Sequence, residues 1–343
     1  GLTIGLAGRG ATALGPAAPC PDGVTAISGS ATAAPLVASA LTAAVLSWIA
    51  IATLLPWLQR VASARPEARS SHRLPTPQGA GLAVTGAVVI IWLAALALLG
   101  RFDGRSAILA AALVGAMIVG FIDDIRPLPW RLKLVAQALC AAAATMALPA
   151  GWPGAFSTGL ALADGAIATL VLVAVMNIVN FIDGIDGITA AHSVPAFAVM
   201  TLAAFAGILP ATTGLFAAAA FGAMIGFWWW NRHPARIFLG DAGSLPVGLM
   251  LGWLSLLLAG RGHAAAALLV LAYPLADGGS TLLRRLLAGK RLTQPHRDHA
   301  YQRAVDTGLS APRVTRTVAL VSLACAVLAA LEAHPAPAAP QVL

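Results

Sequence analysis

The sequence predicts an all-α, polytopic integral membrane protein of about ten transmembrane helices, with its active site on the cytoplasmic face. Three observations carry that expectation. Of the 343 residues, 59% are hydrophobic and 10% charged, whereas a soluble domain has about 25% charged residues. Apolar runs of bilayer-crossing length recur along the chain. The basic residues gather in alternate loops.

Runs near the crossing length of about 17 to 25 residues fall at roughly 35–58, 79–99, 106–122, 132–149, 158–180, 191–209, 212–230, 243–260, 262–277 and 313–332. The ninth is short, and the fifth carries Asp164 near its start. With ten spans, the loops on the side of the 59–78 connection hold 17 of the 21 Lys and Arg residues. Such an excess marks cytoplasmic loops. Both termini are therefore expected in the periplasm, with the protein in a bacterial inner membrane. The net charge of +8 then reflects orientation, and no nucleic-acid partner is implied. Residues 34–333 read as a single transmembrane domain. Residues 334–343 read as a tail, and residues 1–33 as a mobile extension or a start-site artefact. Cys20, Cys140 and Cys325 form no CxxC or Cys/His spacing, so neither a disulfide framework nor a zinc site is expected.

The acids are more informative. Glu67, Asp123, Asp124, Asp183, Asp186, Asp241, Asp277, Asp298 and Asp306 all fall on the basic side. Acids contribute little to orientation, and ionisable groups at the ends of apolar helices are functional candidates. In the stretch Asn177 to Thr189, Asn177, Asn180, Asp183 and Asp186 are three apart and share roughly one helix face. Gly184 and Gly187 follow the two acids, where backbone can approach a ligand or a helix can end. A helix end with turn residues is the plainer reading.

Asp123 and Asp124 are adjacent carboxylates that resist joint ionisation unless cations hold them, and Arg126, Arg131 and Lys133 follow. Such a pair suits a divalent cation, or one member can act as general base; solvated helix caps are the alternative. Asp241 lies between Gly240 and Gly243 at a predicted helix start, where free N–H groups and the dipole suit phosphate and the acid could hold a metal. An N-cap with flexible glycines is the competing reading. Trp228, Trp229 and Trp230 read as an interface belt. In the last loop, His296, Arg297, His299 and Arg303 make a cationic wall suited to a diphosphate, while Arg284, Arg285, Lys290 and Arg291 suit anionic headgroups. The segment from Arg69 to Gly79 is polar with a fixed Pro pair and is also readable as a linker.

Two function classes compete. A transporter would place coupling acids deep in broken helices and show internal repeats; these acids sit at one interface and no repeat is evident. An enzyme acting on phosphates at the membrane surface needs metal, base and cations on one face, which is the observed pattern.

The sequence resembles the polyprenyl-phosphate N-acetylhexosamine-1-phosphate transferases. The resemblance rests on Arg-Ser-Ser-His…Pro-Thr-Pro at 69–77, Phe-Ile-Asp-Asp at 121–124, Asn-x-x-Asn-Phe-x-Asp-Gly-x-Asp-Gly at 177–187, Phe-Leu-Gly-Asp-Ala-Gly-Ser at 238–244 and the His-rich loop at 296–303, in the family's order. It implies Mg²⁺-dependent (or Mn²⁺-dependent) transfer of sugar-1-phosphate from a UDP-amino sugar to undecaprenyl phosphate, with release of UMP. By matching position it implies metal binding by Asp241 with Asp124, and Asp123 as base for the lipid phosphate. Asn177, Asn180, Asp183, Asp186 and Asn231 would line the nucleotide and metal site, and Lys133, His296, Arg297, His299 and Arg303 would hold phosphates, His299 at the reacting centre. His299-Ala300-Tyr301-Gln302 stands where relatives often have adjacent histidines, which favours the O-antigen and surface-polysaccharide branch over the peptidoglycan enzyme. Gln78 stands where many relatives have Arg. The resemblance leaves room for a homodimer.

Overall fold

The computed structural model describes residues 29–64, 76–149, 158, 160–290 and 297–333. Most of the 1–33 extension, the 334–343 tail, residues 65–75 of the first loop and His296 lie outside the described residues.

The architecture is helical: α1 Gly29–Val61, α2 Gly81–Leu98, α3 Gly104–Ile125, α4 Trp130–Met146, α5 Ala161–Ile182, α6 Ile188–Phe205, α7 Ala211–Asn231 and α8 Asp241–Gly260. A broken segment follows, made of α9 Ala264–Val270, α10 Ala272–Pro274, a π-helical turn Leu275–Gly279 and α11 Ser280–Leu287. The short α12 Ala300–Asp306 and the long α13 Ala311–Ala333 complete the chain. The only strands among the described residues are β1 Ser63–Ala64 and β2 Thr76–Pro77, an antiparallel pair.

Each of the ten apolar runs forms helix. Among the described residues, eight helices are long and apolar enough to cross a membrane. Two runs depart from straight, full-length spans. α4 has 17 residues, one turn or so below a comfortable crossing at about 1.5 Å per residue. The 262–277 run continues to Leu287 and bends by 68° between α9 and α10. The protein is a multi-pass membrane protein.

α8 is the central element, with 94% of its apolar window buried, packed against α2, α3, α5 and α9. Glycines permit these approaches, as expected where apolar helices must touch without a hydrophobic drive between them. A Cβ on Gly120 of α3 would lie 2.1 Å from the Asp241 carbonyl oxygen, and one on Gly81 of α2 2.0 Å from the Gly243 nitrogen. α3 and α5 therefore end, and α4 and α8 begin, on one face beside the same point. Trp48 and Trp230 pack at 5.7 Å, and Arg232 stacks 3.8 Å over Trp229.

Candidate active site

The site grows from the end of α3. Asp124 turns inward, and its carboxylate accepts the backbone N–H groups of Asp241 (2.9 Å) and Ala242 (3.0 Å). It thus caps the start of α8 from a neighbouring helix, using free donors and a favourable dipole. Gly240 makes room: its φ of 72° is left-handed, and a Cβ there would lie 2.3 Å from an Asp124 oxygen. Gln78 donates its amide to the Asp124 carbonyl at 2.8 Å, and Pro77, Ala80 and Gly81 bond to Phe238 and Leu239 backbone. Gln78 is thus an anchor between the first loop and the end of α3.

Asp123 points the other way. One oxygen accepts the Leu128 N–H at 2.8 Å; the other accepts the Lys133 ammonium at 3.0 Å. The same ammonium pairs closely with Asp241. On its far side Asp241 accepts the Asn180 amide at 2.6 Å, and that amide also reaches Ser244 at 2.8 Å. Asp123, Lys133 and Asp241 each keep about a fifth of their side chain exposed (19%, 19% and 22%). This is a charged cluster open to water.

The carboxylate oxygens of Asp123 and Asp241 converge on one cationic centre, occupied by the Lys133 Nζ. Oxygen donors so arranged also suit a hard divalent cation, which commonly binds one or two carboxylates and fills its shell with water and phosphate. Among the described residues, no three carboxylate, His or Cys side chains form a ready-made cage. The partner of Asp241 in this convergence is Asp123; the Asp124 oxygens are both turned to the start of α8.

The remaining polar residues of the 177–187 stretch diverge. Asn177 sits deeper, donating to Gln137 (2.6 Å) and to the Val173 carbonyl (2.8 Å) between α4 and α5. Asp183 is bonded closely by the Thr189 hydroxyl. Burial pushes its carboxyl up to about 7, the Thr189 bond opposing and the Asp241 charge adding to the shift. Asp186 accepts from His233 at 2.7 Å and from the Ala235 N–H at 3.1 Å. Asn231 is buried and bonds the Gly187 N–H and the Ile237 carbonyl. Asp186, through one carboxylate oxygen, and Asn231 clasp two loops together and so shape the rim of the site.

His299 is also buried, with Nδ1 3.2 Å from Asp277. Arg297 pairs with Asp306 at 2.6 Å. Arg303 lines an open pocket of about 200 Å³ with Thr281, Arg284, Arg285, Lys290 and Asp298, so one cation of the last loop shares a cavity with three of the preceding basic cluster. Asp277 is the residue that spacing does not single out. It lies in an apolar helix with Gly278 and Gly279, and only the bend brings it to the last loop.

Residues 105–259 match the family model for glycosyl transferase family 4. A decaprenyl-phosphate N-acetylglucosaminephosphotransferase of Mycobacterium tuberculosis is 31% identical over 316 residues, spanning 82% of this chain and 78% of its own. The chain belongs to glycosyl transferase family 4, the polyprenyl-phosphate hexosamine-1-phosphate transferases. Other similar members are a Streptomyces coelicolor protein named as a glycosyltransferase, 31% identical over 323 residues (87% of this chain, 71% of its own), and a phospho-N-acetylmuramoyl-pentapeptide-transferase of Gemmatimonas aurantiaca, 29% identical over 271 residues (65% and 68%). The family match spans α3 to α8, and so holds Asp123, Lys133, Asn180 and Asp241 together.

Proposed function

We propose that the protein transfers sugar-1-phosphate from a UDP-N-acetylhexosamine to undecaprenyl or a related polyprenyl phosphate, releasing UMP, as the first step of O-antigen or related surface-polysaccharide synthesis. The observation that carries this reading is the Asp123–Lys133–Asp241 bridge, braced by Asn180 and open to water at the ends of membrane helices. A soluble nucleotide and a membrane-held phosphate can meet only at such a level. The transporter alternative needs acids deep within the spans, and these lie at helix termini.

The chemistry is positioning and charge neutralisation. An oxygen of the lipid phosphate attacks the sugar-bearing phosphorus of the UDP-sugar. A P–O bond forms to the lipid, the bond to the UMP phosphate breaks, and UMP leaves with the electron pair. Asp123 takes the proton from a singly protonated lipid phosphate. Lys133 neutralises charge on the phosphates, and Asn180 holds Asp241 in place. Two carboxylates share the one ammonium, which leaves little positive charge for a diphosphate. A Mg²⁺ or Mn²⁺ ion held by Asp241, with Asp124 behind it through the start of α8, would supply Lewis-acid neutralisation of the phosphates. The cation-lined pocket around Arg303 would receive the diphosphate or sugar. The cluster faces the cytoplasm if the basic loops do.

The test supplies membranes containing the protein with labelled UDP-HexNAc sugars, undecaprenyl phosphate and Mg²⁺. A labelled lipid product with equimolar UMP is expected; no lipid product with any UDP-HexNAc would overturn the reading.

A further inference from the structure

Asp277 accepts hydrogen bonds from four groups. His299 Nδ1 lies 3.2 Å and the Ala300 N–H 2.8 Å from one oxygen; the Tyr301 N–H at 3.3 Å and the Tyr273 hydroxyl at 3.2 Å meet the other. Asp277 and His299 are both nearly sealed from water, at 3% and 2% exposure. A buried carboxylate is costly unless bonded, and here each oxygen has two partners. Two of the four are the N–H groups that open α12.

The backbone around Asp277 is specialised for this. It lies in the π-helical turn Leu275–Gly279, past the 68° bend of the membrane segment. Single π turns inside helices recur at functional sites. From α12 the chain of contacts reaches the proposed reaction centre. The Tyr301 hydroxyl donates to the Phe181 carbonyl at 3.2 Å, between Asn180, which braces Asp241, and Asp183. A Cβ on Gly184 would lie 2.0 Å from the Tyr301 oxygen, so that glycine is the seat for the ring. Two residues further along α12, Arg303 lines the cation-lined pocket with Arg284 and Lys290.

We infer that Asp277 is a positioning residue for the nucleotide-sugar side of the site: it fixes the start of α12 to the bent membrane segment, and so sets both the Asn180–Asp183 end of α5 and the Arg303 wall. The inference rests on the proposed transfer for its kinetic consequence, and on geometry alone for its structural one.

The test uses full-length protein in nanodiscs, as Asp277→Asn, Asp277→Glu and Tyr301→Phe. Asp277→Asn keeps the shape and exchanges one acceptor oxygen for a donor. The KM for UDP-sugar should rise about tenfold or more, as for a lost bond to a charged group, while the KM for polyprenyl phosphate stays within twofold. Asp277→Glu, which keeps both acceptors, should recover part of the loss. Tyr301→Phe should raise the same KM by a smaller factor without touching Asp277, which guards against a variant that fails to fold. Hydrogen exchange in 299–306 should quicken in Asp277→Asn with α8 unchanged. Equal rises in both KM values, or wild-type KM and exchange, would overturn the inference. If the wild-type protein makes no lipid product but the exchange pattern holds, the transfer reading fails and the anchoring role of Asp277 stands.

Discussion

Two charged clusters lie on the same face of this bundle and are built in opposite ways. Around Asp241, two carboxylates share one ammonium, and each of these side chains is about a fifth exposed. Around Asp277, one carboxylate is saturated by four donors and almost sealed. The first has charge in excess and access to water, so it can exchange partners with a ligand. The second has neither, so it can only hold its neighbours. Acid content alone does not mark a reaction centre in a membrane enzyme; unsatisfied charge with access does.

The comparison breaks most sharply at Asp123. Asp123→Asn should lower the transfer rate about a thousandfold or more, in the range of general acid–base groups, with membrane insertion unchanged on a blot; a rate within tenfold of wild type would move the base elsewhere. Lys133→Ala should cost about a hundredfold or more in kcat/KM, as for a group stabilising developing charge, and Lys133→Arg should recover only part of it. Asn231→Ala should act through stability instead, stranding the Gly187 N–H and the Ile237 carbonyl at about 1–3 kcal/mol each. A lowered melting temperature in detergent with KM near normal is the expected outcome.

A smaller effect sharpens the contrast by pH. The Asp183 carboxyl is raised from 3.8 to about 7, so between those values the folded protein binds more protons than the unfolded chain. Stability should therefore fall as pH rises through that window and level off above about 7. Asp183→Asn should flatten this slope in melting experiments; parallel slopes would remove the burial argument.

The fold was legible because spanning helices announce themselves by length and apolarity, and the loop charges fixed their alternation. The 262–277 run shows the limit: composition gives an apolar segment, while the bend and the π turn depend on packing against α5, α8 and α13. In the site, the spacing of Asp123, Asn180 and Asp241 at helix ends placed them on one face. Asn177 shares their periodicity yet sits one turn deeper against Gln137, because a three-residue repeat drifts around a helix of 3.6 residues per turn. Asp277 falls on the basic side with the other acids, but its role was hidden because three of its four partners, at His299, Ala300 and Tyr301, lie more than twenty residues away.

The central claim is that the Asp241 cluster is where transfer occurs. The measurement that tests it most directly is the rate at which purified Asp241→Asn, in the same nanodiscs as wild type, converts labelled UDP-HexNAc and polyprenyl phosphate to lipid product. A fall of about a thousandfold or more with an unchanged melting profile is predicted. A rate within tenfold of wild type would contradict the claim.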